Sequence, residues 1–398
     1  MGGKVRVAHI INSFALGGAE AMLCSLLSRT DRDRFEPQVI SLIDDLKLVG
    51  PILEAGIPVK VIGMRPGVPD PRGPVKLVRH LRSIRPDIVQ TWMDHSNLIG
   101  GVAAWAAPGA KIVWGIHHSN HVRRLTKKST LLTVWACRKL SSRVPSRIVC
   151  CSEYAQKLYV QAGFAADRMT VIPNGFNTDL FHPDSDARLQ IRQELGIDPK
   201  ATIIGLVARY DPLKDHVSFI AAAGLLHKEF PGVHFLMCGT SVDKDNQALM
   251  GQISELGIGG ICHLLGQRSD VAKIHASLDI ATSSSISEAF PLAVGEAMAC
   301  GIPCVATNVG DSAMMFGDSG LIVPPSQPAA LAAGWAAMLK MDVSARLRLG
   351  IDARRRVQEL FDLEAVVKRY EDLYRELVGL EDQLPIATPP VLEASRVA

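Results

Sequence analysis

Two glutamates, Glu288 and Glu296, stand eight positions apart in the stretch 284–298. An apolar run at 278–283 precedes it and a helical pattern follows, so Glu288 falls in a loop and Glu296 about two turns along a helix. Both can meet one long ligand at the helix start, where the N–H groups of Phe290 and Leu292 have no helical acceptor and can serve phosphate or sugar oxygens. Pro291 has no N–H to give and suits a first turn. Taken alone, such a pair is more often a capping acid and a surface acid.

Arg209 and Lys214 bracket a loop stiffened by Pro212 at the carboxyl end of the run 202–208. Two cations held there can neutralise a diphosphate without a metal ion; the bland alternative is a pair of solvated loop charges. Gly17 and Gly18 follow the first apolar run, 5–11, and open a helical stretch. Such a turn lets the backbone approach a phosphate at the positive end of a helix, although a bare Gly-Gly is more often only a tight turn. His117 and His118 come just past the run 112–115, where a histidine serves as polar contact, general base or plain structural side chain. With His121 they make three histidines within five residues, but 98–152 contains no carboxylate, so a metal site ranks low. Neither G-x-G-x-x-G nor G-x-x-x-x-G-K-[ST] occurs, which counts against a dinucleotide dehydrogenase and a P-loop ATPase.

The elements that must position these residues alternate along the chain. Short β-branched runs at 5–11, 37–42, 59–62, 88–91, 112–115, 147–150 and 169–172 are separated by helical stretches such as 19–29, 74–82 and 153–162. A second series at 202–208, 233–238, 261–265, 278–283, 303–307 and 321–323 alternates with helices at 215–227, 292–300 and 328–340. This pattern predicts two doubly wound parallel sheets, with ligands beyond the carboxyl ends of the strands and a cleft between the domains. Turn formers Pro173-Asn174-Gly175 and His182-Pro183-Asp184 mark a linker. The expected domains are 1–178 and 179–360, both Rossmann-like α/β. A helix at 361–380 is expected to return to the first domain, ahead of a flexible tail at 381–398.

The chain of 398 residues is 47% hydrophobic and 21% charged, which suits a globular protein and excludes disorder for most of it. Its net charge of +3 conceals a split. Residues 1–180 hold 24 Lys and Arg against 13 Asp and Glu, or +11, and the remainder 19 against 27, or −8. Eight cysteines without a C-x-x-C pair read as free thiols of a reducing cytosol. No signal peptide and no apolar stretch of about 20 residues occurs, so the expected location is cytoplasmic, or peripheral on the inner face of the cytoplasmic membrane.

Together these residues resemble glycosyltransferase family 4, retaining sugar transferases of the GT-B fold. The resemblance rests on the E-x7-E element Glu288 to Glu296, continuing through Ala297, Met298, Gly301 and Pro303, and on the R-x-x-x-x-K element Arg209 and Lys214. The Asn174-Gly175 linker, the Gly17-Gly18 loop and Gly310-Asp311-Ser312-Ala313 extend it, and Ala289 departs from it where the family often has Gly. The resemblance implies a metal-independent hexosyltransferase of exopolysaccharide, O-antigen, lipopolysaccharide or capsule synthesis. It needs no cofactor and uses a nucleotide-sugar donor, UDP-sugar being the first expectation. The resemblance also implies that 1–178 is the acceptor-binding domain and 179–360 the nucleotide-sugar-binding domain. Arg209 and Lys214 are implied for the donor diphosphate, Glu288 for sugar hydroxyls and Glu296 for the ribose. The amides of Phe290 and Leu292 assist, Gly17 and Gly18 approach the diphosphate, and the catalytic-region histidine maps to His118, with His117 one register away.

The acceptor is expected to be a glycan or a polyprenyl-diphosphate-linked sugar. Arg123, Arg124, Lys127 and Lys128 belong to an acid-free segment, 95–152, interleaved with Leu131, Leu132, Val134 and Trp135, which suits an anionic membrane or lipid diphosphate. No nucleic-acid motif accompanies it. Two other functions fit the same fold: a nucleotide-sugar epimerase, and an inactive nucleotide-sugar-binding regulator.

Overall fold

The computed structural model describes residues 3–15, 17–65, 71–118 and 127–380. Arg123, Arg124 and the tail at 381–398 lie outside the described residues. The chain divides into two compact units, one ending at Gly175 and regaining the chain at Leu363, the other spanning Phe176–Asp362.

The first unit is built on a parallel sheet of seven strands: β1 (Val5–Ile11), β2 (Phe35–Ile43), β3 (Val59–Met64), β4 (Ile88–Trp92), β5 (Lys111–Ile116), β6 (Arg147–Cys150) and β7 (Met169–Val171), in the order 3-2-1-4-5-6-7. Alternate side chains enter two separate cores, as the period-two geometry of a strand requires. Val5, Val7 and Ile11 join Phe35, Val39 and Trp92 on one face. Ala8 and Ile10 join Ile40, Leu42 and Trp114 on the other. The last helix, Leu363–Val378, covers the first face with Val366, Val367, Tyr370 and Tyr374. Polar contacts fix it: Tyr374 Oη donates to Gln90 Oε1 at 3.3 Å, and Arg147 pairs with Glu376 at 2.9 Å. Gly175 lies against this helix so closely that a Cβ would stand 2.9 Å from Leu363 Cα.

The second unit has six parallel strands: β8 (Thr202–Val207), β9 (Val233–Cys238), β10 (Cys262–Leu264), β11 (Ile280–Ser283), β12 (Cys304–Thr307) and β13 (Gly320–Val323), in the order 10-9-8-11-12-13. Phe219, Phe235 and Trp335 fill its main core, and Trp335 Nε1 donates to Thr282 Oγ1 at 2.9 Å. β11 starts at Ile280, two residues later than the apolar run suggests. Asp279 is already committed outside the ladder, accepting from Ile203 N–H, Arg188 and the buried Arg192 at 2.6–2.8 Å. Both strand orders reverse direction once, between β1 and β4 and between β8 and β11. Those switch points are where loops from neighbouring strands splay apart and leave room for a ligand.

Candidate active site

At the switch point of the second sheet, the loop after β8 meets the loop after β11. Asp211 shapes the first loop, accepting from Leu213 N–H at 2.9 Å and pairing with the Arg209 guanidinium at 3.2 Å. Burial pushes the Asp211 carboxyl up, but the Leu213 N–H and the Arg209 and Lys214 charges outweigh it and hold it below its ordinary range. A single 3₁₀ turn, Pro212–Lys214, follows, and Asp215 at φ 50° caps the helix His216–His227 through Ser218 N–H. The second loop is sewn to the first. Ile286 N–H donates to Leu213 O at 2.9 Å, and Ser284 Oγ donates to Lys214 O at 2.8 Å.

This stitching brings Lys214 Nζ onto Glu288 Oε1, the oxygen that also accepts from Ser285 Oγ at 2.7 Å. Ser285 is anchored in turn by Thr307 Oγ1, which donates to its carbonyl at 2.6 Å. Neither cation is therefore a bare loop charge: Arg209 and Lys214 each hold a carboxylate. Gly310, at φ 56°, closes the far side of the loop, and a Cβ there would stand 2.4 Å from Glu288 O and 2.6 Å from Ala289 O. Ala289 itself is not among the positive-φ residues, so its methyl group causes no backbone strain where the family often has Gly.

The helix Leu292–Ala299 carries Glu296, whose Oε2 lies 3.2 Å from Nε2 of His275. Its close seating depends on Gly295, where a Cβ would meet the Phe176 ring at 2.0 Å. Phe290 is a buried anchor, stacked on Phe176 at 6.0 Å and edge-on to Phe361 at 5.4 Å. Its side chain is thus structural, while its N–H and that of Leu292 lead into the first turn.

In the first unit, Gly17 and Gly18 sit where β1 gives way to the helix Gly18–Arg29, and a Cβ on Gly17 would collide with the Glu20 carboxylate at 2.3 Å. His117 is stacked on Trp92 at 4.8 Å; burial and the neighbouring His118 pull its pKa down to about 3. His118 is exposed. Lys127 and Lys128 are exposed at the start of the helix Lys128–Leu140, beside Leu132 and Trp135, which are 65% and 52% exposed.

Sequence reasoning missed Ser285 and His275, the partners of the two glutamates, because a lone Ser or His carries no spacing signal. It also missed Asp94, a buried carboxylate that opens the helix after β4, accepts from Tyr159 Oη at 3.4 Å and follows Met93 at φ 74°. Among the described residues no group of three His, Cys, Asp or Glu side chains is disposed to hold a metal ion. The cysteines are unpaired, and burial pushes the Cys150, Cys262 and Cys300 thiols up to about 12, so they stay protonated.

The model of Glycosyltransferase Family 4 matches residues 16–180, and that of Glycosyl transferases group 1 matches residues 187–356. The glycosyltransferase candidate EpsF of Bacillus subtilis is 25% identical over 333 residues, 79% of this chain and 82% of its own length. UDP-Gal:α-D-GlcNAc-diphosphoundecaprenol α-1,3-galactosyltransferase of Escherichia coli is 23% identical over 61% of this chain, which spans 63% of that protein. Among solved structures, Anabaena HepE in complex with UDP-glucose superposes with a TM-score of 0.82 at 22% identity, covering 93% of this chain and 99% of HepE.

Proposed function

Because the chain belongs to the glycosyltransferases of family 4 and group 1 and has their two-sheet GT-B fold, we propose that it is a retaining, metal-independent hexosyltransferase. Its donor is a nucleotide sugar, UDP-sugar first, and its acceptor a glycan or lipid-diphosphate-linked sugar of cell-surface polysaccharide. The observation that carries the proposal is the switch-point cluster, in which Arg209, Lys214 and Glu288 converge from the loops after β8 and β11. HepE was solved with UDP-glucose, and the Escherichia coli relative is named for a UDP-Gal donor and a diphosphoundecaprenol acceptor. Both names favour a UDP-sugar donor here, and the second also favours a lipid-diphosphate-linked acceptor.

In this reading Arg209 and Lys214 exchange their carboxylate partners for the donor diphosphate, and Glu288, released from Lys214, accepts from sugar hydroxyls. Glu296 accepts from the ribose hydroxyls. The amides of Phe290 and Leu292 add neutral donors, each positioned donor being worth about 3 to 4 kcal/mol where charge develops. Gly17 and Gly18 are proposed as a phosphate contact and His118 as the polar group beside the transferred sugar. As the anomeric C–O bond to phosphate breaks, the acceptor oxygen bonds the same carbon on the same face and the departing phosphate oxygen takes its proton. No protein nucleophile is required.

The exposed Lys127, Lys128, Leu132 and Trp135 are proposed to rest on an anionic membrane surface at the cytoplasmic face. A screen of UDP-, GDP- and ADP-sugars by ligand-induced thermal shift tests the donor class. A UDP-sugar is expected to raise the melting temperature and to release UDP only with acceptor present. A panel in which no nucleotide sugar shifts the transition would overturn the proposal, as would a trapped covalent glycosyl-enzyme for the same-face step. Activity lost to chelation and restored by a divalent cation would overturn metal independence.

A further inference from the structure

The helix Leu292–Ala299 brings Glu296 to the site, but a glutamate on a helix has three side-chain torsions and sweeps a wide arc unless something holds it. His275, on the neighbouring helix Val271–Ser277, is 1% exposed and is the one hydrogen-bond partner of the Glu296 carboxylate among the described residues. The Phe181 ring packs edge-on against the imidazole at 6.1 Å and fixes its plane. An ionised carboxylate only accepts, so Nε2 is the ring nitrogen that bears hydrogen and points it at Oε2. The opposite nitrogen, Nδ1, is buried without a partner. A buried polar atom left unsatisfied destabilises a fold, so packing alone would favour an apolar side chain at this position. The Nε2–H donor is what an apolar side chain would lack.

We propose that His275 is a positioning residue, holding one oxygen of Glu296 from the protein side so that the other is presented to the two ribose hydroxyls of the donor. The inference rests on the reading that Glu296 meets the ribose. An acceptor fixed before binding need not be immobilised by the ligand, so the benefit appears as nucleotide affinity.

The experiment compares binding of a nucleoside diphosphate and its 2′,3′-dideoxy form to the full chain, using whichever of UDP, GDP or ADP gives the largest thermal shift. Wild type is expected to prefer the ribose form by about 100-fold, and Glu296→Gln to lose most of that preference. His275→Phe is expected to lower the preference about tenfold, with affinity for the dideoxy form unchanged and the melting temperature not reduced. His275→Gln, whose amide can donate from a similar position, is expected to restore most of it. An undiminished preference in His275→Phe and His275→Gln would overturn the positioning role, and so would an equal loss of both ligands, the mark of a merely structural side chain. If Glu296→Gln keeps the wild-type preference, the ribose reading of Glu296 fails first and the role of His275 falls with it.

Discussion

Lys214 and Glu288 are separated by 74 positions in sequence, and they form an ion pair because β8 and β11 are neighbours at the switch point. The sequence pattern places the candidate residues Arg209, Lys214 and Glu288 in loops after strands and Glu296 on the helix that follows, and the structure has them there. Their pairing was not legible in the sequence, because it depends on strand order, which spacing does not encode. The pair also sets what each substitution should do. Lys214→Ala removes a charge from a partly exposed site that keeps the Ser285 hydrogen bond, so melting should stay near wild type while turnover falls about 100-fold or more. Equal activity in a steady-state assay would remove Lys214 from the site. His9 gives a second prediction at this scale. It is buried, with its pKa pulled down to about 3 from 6.5, and its Nδ1 accepts from Trp92 Nε1 at 3.3 Å. The unfolded chain therefore binds more protons below 6.5, and stability present at neutral pH is lost as pH falls from 6.5 toward 3. His117, down to about 3, and His216, down to about 4, act in the same direction. At about pH 5 each should cost on the order of 1–2 kcal/mol. Melting curves across pH should show this decline, and His9→Leu should flatten it; an unaltered profile would show that His9 is not a source.

Loops and helices respond differently from single side chains, because one atom can shift a whole segment. Gly310→Ala places a methyl group against the Glu288 and Ala289 carbonyls at a left-handed φ, where a non-glycine residue costs roughly 1–2 kcal/mol. The loop must move, so activity should fall by more than stability does; a variant with full activity and a normal melting curve would show that Gly310 does not hold the loop in place. The helix Lys128–Leu140 has its own test. Leu132→Glu with Trp135→Glu should abolish most co-sedimentation with vesicles rich in anionic lipid, and binding of wild type that ignores lipid charge would count against docking there. Helices also show where sequence patterns fall short. Hydrophobic spacing gives no element at 343–360, yet the structure has a helix of 18 residues, Val343–Leu360. Its buried stripe is Gly350, Ala353 and Val357, too small to register as apolar periodicity. Gly350 lies so close to Gly301 that a Cβ would stand 2.0 Å from its carbonyl oxygen, and Arg354 donates to the carbonyls of Phe181, Thr178 and Ala299. Small residues and backbone-directed arginine hold this helix, and neither looks like a core in sequence.

The two units differ in how much of the chain each needs. The second is one continuous stretch, Phe176–Asp362, whereas the first borrows its last helix from beyond that stretch. Val366, Val367 and Tyr370 are at most 3% exposed, and they close the same core as Val5, Phe14 and Trp92. Burying each such side chain is worth about 1.5–3 kcal/mol. Three of them, with Leu363, Leu373 and Tyr374 beside them, therefore approach or exceed the whole stability of a typical domain, about 5–15 kcal/mol. Removing residues 363–398 should leave the first unit unfolded or molten while the second keeps its own cooperative transition. Donor binding, proposed for the second unit, supplies the internal control. A nucleotide at 100 times its dissociation constant stabilises the state that binds it by about 2.7 kcal/mol. Calorimetry of the truncated chain should thus show one remaining transition that still rises with nucleotide, alongside loss of transfer activity. A truncated chain with both transitions intact would show that the last helix is dispensable to the first core. A surviving transition indifferent to nucleotide would instead move the donor site away from the second unit, against the placement of Arg209, Lys214, Glu288 and Glu296.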